Sequence, residues 1–93
     1  VRFEWDPAKS IANEAKHGIS FEIATEVFAD PLHISRLDHR FSYFEERWIT
    51  VGDVPSQGVV VVANVFFDGN DEEVIRIISA RRATKREVQQ YER

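Results

Sequence analysis

The 93-residue sequence contains no cysteine and no methionine, and only four glycines and three prolines. The lack of cysteine excludes disulfides, thiolate zinc sites and a cysteine nucleophile, and fits a reducing compartment. No apolar run approaches the roughly eighteen residues of a membrane span, and no basic segment leads into an apolar one as in a secretory signal. The sequence therefore reads as that of a cytoplasmic protein with no membrane contact. There is no phosphate-cradling Walker loop, no dinucleotide glycine pattern and no Ser/His/Asp order. Gly18, Gly52, Gly58 and Gly69 are isolated turn or cap glycines. His17, His33 and His39 lack the spacing of metal ligands, so neither a metal nor a cofactor is expected.

What is present is a folding composition: 43% hydrophobic residues, with seven Phe and two Trp, is ample for one small domain spanning residues 1–93. The net charge of −4 is unevenly spread. Residues 76–93 hold six Arg or Lys against two Glu, a local +4, which leaves −8 on the rest of the chain. A basic end on an acidic body suggests an anion-binding footprint, with a solvated basic face as the plainer alternative.

The order of elements can be followed along the chain. Phe3-Glu4-Trp5 alternates like a short strand, and Asp6-Pro7 supplies an N-cap and a first-turn proline for a helix over about 7–17. Ile11, Ala12 and Ala15 form its thin apolar stripe, and Lys16-His17-Gly18 closes it. Ser20 caps a second helix with Ile23, Ala24, Val27 and Phe28 on one face, stopped by Asp30-Pro31, so the two helices form a hairpin. A period of two then predicts strands near 33–38, 46–52, 58–67 and 73–81, the last three joined by turns at Asp53–Gly58 and Asp68–Asp71. Val59–Ala63 has the continuous apolar run of a central strand. Thr84-Lys85-Arg86-Glu87 is a capping box that opens a short last helix with Val88 and Tyr91 on one face.

Three blocks, FEWDPAKSIANEAKHGISFEIATEVFADP (3–31), EERWITVG (45–52) and IRIISARRATKREVQQYE (75–92), resemble the BrnT family, the toxins of BrnT–BrnA type II toxin–antitoxin pairs. Ala63–Phe67 departs from the more polar or hydroxyl-bearing pattern usual there. The resemblance implies an α+β, RelE-like fold: an N-terminal helical hairpin on an antiparallel β-sheet, with a short C-terminal helix. It also implies a ribonuclease that stops translation, with RNA as substrate and a BrnA-like antitoxin as partner. Operator DNA would be met only through that antitoxin.

Metal-free RNA cleavage needs a base for the ribose 2′-OH, an acid for the leaving oxygen, and cations around a crowded phosphorane. The planar fork of arginine suits the cationic role. Arg76 and Arg81 are the first candidates, with Arg82, Lys85, Arg86 and Lys16 as substrate-binding cations. Counting in twos puts Arg76 and Arg82 with Val74, Ile78 and Ala80 on one face of the strand, and Arg81 with Ile75, Ile77 and Ser79 on the other. The alternative for each arginine is a structural ion pair. His17 is the candidate for proton transfer, with complementing its helix terminus as the alternative. Glu46 is a second candidate base or arginine orienter, and otherwise a strand-edge salt bridge. Tyr91 could donate a proton or stack on a base, and otherwise anchors the last helix. Beside the toxin enzyme stand two other readings, a binding module that does not cleave and a scaffold retained only as half of a complex.

Overall fold

The computed structural model describes residues 1–41 and 45–93. The strands are β1 (Arg2–Glu4), β2 (Ile34–Leu37), β3 (Trp48–Val54), β4 (Gly58–Asp68) and β5 (Glu73–Arg82). The helices are α1 (Pro7–His17), α2 (Phe21–Ala24) and α3 (Lys85–Tyr91). One five-stranded sheet runs β1-β5-β4-β3-β2, with β4 at its centre as its valine run suggests. The protein is thus α+β. The sheet is mixed rather than purely antiparallel, because β1 lies parallel to β5. Those two strands are separated by most of the chain, so no hairpin turn dictates their direction.

The core lies between one sheet face and the first two helices. Ile19, Phe21, Ala24 and Val27 pack against Val54, Val60, Val62, Ile77 and Ala80. Two expectations for the helical segment change. The second helix is four residues long and tightens into a 3₁₀ turn over Thr25–Ala29, which lies so close to β3 that a Cβ at Gly52 would sit 2.8 Å from the Val27 carbonyl oxygen. Secondly, α1 buries Ser10 and Asn13 and leaves Ile11 70% exposed, along with Ala12 and Ala15.

Hydrogen bonding explains this inversion. Asn13 Nδ2 donates to the carbonyls of Ile19 (2.8 Å) and Ala80 (2.9 Å), and its Oδ1 accepts from the Ala80 N–H at 3.2 Å. Ser10 Oγ accepts from the Phe21 N–H at 2.9 Å. Strand β1 pairs only with Val74–Arg76, so α1 supplies polar groups where the edge of β5 would otherwise be bare. Buried main-chain groups decide which face of α1 turns inward.

A β-bulge corrects the alternation along β5. Ala63 opposes Ser79 while Asn64 opposes Ile77, so Ile78 is an additional residue. Side chains after it change face relative to a count in twos. Arg76 opposes Val65 and Arg81 opposes Val61, which places both arginines on the face away from the core. Arg82 opposes Val60 and joins Ala80 on the core side.

At the departure from the family pattern, Asn64 is fully buried and its Oδ1 accepts from Thr50 Oγ1 at 2.8 Å. Thr50 Oγ1 in turn lies 2.7 Å from Ser35 Oγ. Since the single hydroxyl proton of Thr50 goes to Asn64, Ser35 is the donor to Thr50, and the chain of bonds crosses three strands in one direction.

Candidate anion-binding site

Four segments meet at one corner: the end of α1 (Lys16-His17-Gly18), the β3–β4 turn with Gln57, the end of β5 (Arg81-Arg82), and the start of α3. Gly18, at φ 74°, ends α1 with a left-handed residue, and its N–H returns to the Glu14 carbonyl at 2.8 Å. The last carbonyl of that helix, on His17, accepts from Arg82 Nη1 at 3.4 Å, and Arg82 Nη2 donates to Gln57 Oε1. Arg82 therefore joins two segments at the negative end of α1. No carboxylate pairs with it among the described residues.

Arg81 is held differently. Its Nη1 and Nη2 donate to the two oxygens of Glu87 at 2.8 and 2.9 Å, and Nη1 also reaches the Arg82 carbonyl at 3.3 Å. The hydrogen bonds from Arg81, with those from Thr84, hold the Glu87 carboxyl down at about 2. Glu87 also completes the capping box, accepting from the Thr84 N–H at 2.8 Å while its own N–H donates to Thr84 Oγ1 at 3.2 Å. One carboxylate thus starts α3 and fixes an arginine. The start of α3 is occupied by its own cap, so the positive character of the corner comes from its arginine and lysine side chains. Both end-on amino groups of Arg81 are engaged. Its Nε–H and the adjacent Nη2 hydrogen, the second fork of a guanidinium, have no partner among the described residues.

The structure does not gather all the residues singled out from the sequence. His17, Arg82 and Arg81 meet at this corner, His17 and Arg82 on the core side and Arg81 on the open face, with Lys16 next to His17 in α1 and Lys85 and Arg86 in the first turn of α3. Arg76 lies roughly 15 Å further along β5 at a strand's rise per residue. There Nε donates to Glu4 Oε1 at 2.9 Å, Nη1 lies 3.7 Å from Glu45 Oε2, and the guanidinium carbon sits 5.1 Å from the Phe67 ring centre. Glu46, exposed just before β3, is at that same far end of the sheet. The Tyr91 hydroxyl donates to Asp30 Oδ2, which raises the phenol to about 12. Asp30 also accepts from the N–H groups of Asp53 (2.7 Å) and Leu32 (2.9 Å), which together with the Tyr91 bond lower its pKa. The geometry gives Tyr91 the anchoring role, tying the end of α3 to the Asp30-Pro31 turn.

Sequence reasoning missed Gln57, Asn13 and the role of Glu87 as the holder of Arg81. For Glu87 a signal existed, because a capping-box glutamate six residues after an arginine can reach back over the strand end. Among the described residues no three His, Asp or Glu side chains form a set that could hold a metal ion. No helix among them is long and apolar enough to cross a membrane.

The chain is thus an α+β protein whose last strand ends in two arginines beside the start of a short helix. The model of the family described as ribonuclease toxin, BrnT, of type II toxin–antitoxin systems matches residues 5–87, and the chain belongs to that family. Membership in a type II system implies an antitoxin partner. No curated protein matches the chain.

Proposed function

We propose that the chain is a metal-independent endoribonuclease of RelE-like architecture, formed by residues 1–93 as one toxin domain, which inhibits translation by cleaving RNA in the cytoplasm. The observation that carries this is the half-occupied guanidinium of Arg81, fixed by Glu87 along one edge and free along the other. The free fork receives two oxygens of the scissile phosphate, and Arg82, Lys85, Arg86 and Lys16 hold the neighbouring backbone as point charges. Glu87 is a positioning residue: it limits the rotamers of Arg81 before substrate arrives, so less freedom is lost in the transition state.

In this reading the ribose 2′-oxygen attacks phosphorus and loses its proton to His17, whose helix packs on the other face of the sheet from Arg81, so that the substrate bends round the strand end; the bond to the 5′-oxygen breaks, that oxygen takes a proton from water, and the product carries a 2′,3′-cyclic phosphate. Arg81 stabilises the phosphorane because its fork meets the equatorial oxygens as their charge grows. Arg76, at the other end of the sheet, keeps its ion pairs with Glu4 and Glu45, and Glu46 lies exposed near it. A BrnA-like antitoxin would silence the enzyme by covering the basic corner with acidic side chains, and its DNA-binding part would bring the complex to its operator.

Single-turnover cleavage of a defined RNA in EDTA is the test, with the product ends analysed. Cleavage that persists and yields cyclic phosphate supports the reading. Loss of activity in EDTA, restored by a divalent ion, rejects the mechanism.

A further inference from the structure

Beside Arg81 the open face of the sheet carries a groove with a volume of about 150 Å³, closed on one side by α3. Its floor is Ile34, Ile49 and Val51, adjacent on β2 and β3, and Ile34 remains 53% exposed. Arg36 lines it from β2 and Gln90 from α3, and Tyr91 lines it with its hydroxyl tied to Asp30. Glu87 lines the same groove, so the carboxylate that holds Arg81 is also a wall of this space. Neither the guanidinium of Arg36 nor the amide of Gln90 has a hydrogen-bond or ion-pair partner among the described residues. The space is well below the roughly 300 Å³ at which pockets for whole drug-sized ligands begin, and suits a single ring system.

We infer that this groove is the subsite for a purine base flanking the scissile phosphate. It rests on Arg81 being the residue that meets that phosphate. An apolar floor next to a cationic strand end takes the face of a base splayed from a single strand. The two unengaged heads fit its edge. A guanidinium fork pairs with O6 and N7 of guanine, and a primary amide pairs with N6 and N7 of adenine, whereas pyrimidines present no N7. Arg36 facing the groove favours guanine. An apolar side chain of the antitoxin could also enter such a groove, but it would leave both polar heads without partners, at the usual cost of desolvated groups.

The experiment follows the floor directly, with the full chain labelled at its Ile and Val methyl groups. It is titrated separately with guanosine, adenosine, cytidine and uridine 5′-monophosphates and with ribose 5-phosphate as the baseless control. Expected are shifts at Ile34, Ile49 and Val51 with the purine nucleotides, strongest for guanosine, and none there with ribose 5-phosphate. Arg36→Met and Gln90→Ala should together weaken purine binding by about tenfold or more. Equal shifts with ribose 5-phosphate would overturn the inference, as would equal binding by the double variant. It also fails if only antitoxin moves these methyls. The cleavage assay is scored independently: purine binding without RNA cleavage leaves the subsite standing and removes the enzyme, and cleavage without floor shifts does the reverse.

Discussion

Arg76 and Arg81 share a strand, face the same way and are equally open, each with 44% of the side chain exposed. Their surroundings differ. Arg76 lies between two carboxylates from separate segments with its flat face on Phe67, while Arg81 meets one carboxylate along one edge only. Exposure therefore does not measure an arginine's availability to a phosphate; the edge already in use does. A cation enclosed by several acids holds segments together, and a cation clamped from one side is aimed.

Replacing Arg81 should have the largest effect. Arg81→Ala is expected to lower single-turnover cleavage about 10²-fold or more, as removal of a transition-state donor does. Arg81→Lys should restore little, since an ammonium cannot replace the fork. Equal losses in Arg76→Ala would dissolve the contrast between the two sites.

Asn13→Ala should destabilise the protein by about 2–3 kcal/mol, because the Ala80 N–H and the carbonyls of Ala80 and Ile19 lose their partner. Urea unfolding gives this directly. A loss below about 0.5 kcal/mol would show that these main-chain groups do not need α1.

Glu87 sharpens the comparison through pH. Its carboxyl is lowered from 4.5 to about 2, so the stabilisation is complete above 4.5 and disappears as pH falls through about 2. Glu87→Gln should flatten that part of the stability profile measured by acid titration. At neutral pH the loss should be about 1 kcal/mol, since the pair is partly solvated. An unchanged acid profile would mean that the Arg81–Glu87 pair does not persist in solution.

Arg76→Ala should have the smallest effect, less than about 1 kcal/mol of stability, diminishing further in high salt as exposed pairs do. A loss of several kcal/mol would make Arg76 a structural centre.

Much of this could be read in the sequence wherever a local rule applied. Asp6-Pro7 and Gly18 bracket α1, the Thr84–Glu87 box opens α3, and turn residues separate β3, β4 and β5, as the structure has them. Long-range terms were hidden. The pairing of β1 with β5 depends on contacts across most of the chain, and the demand of Ala80 for partners turned α1 from its apolar stripe to Asn13. The faces of Arg76 and Arg81 were misassigned by one inserted residue, Ile78, which no hydrophobic period reveals. The corner was visible as charge, but the division between occupied and free forks is a property of geometry.

Asn13 has one more effect, on what the sheet can join. Its amide occupies the N–H and carbonyl of Ala80 at the border of β5 left uncovered by the short β1. An extended segment from another molecule therefore cannot pair there as an added strand. Among the described residues no side chain plugs the border formed by β2 in this way, and Leu32 and Ile34 stand open at 70% and 53% beside it. Growth of the sheet by a foreign strand, including self-association on the way to aggregates, is thereby directed to the β2 side, away from the strand that carries the arginines.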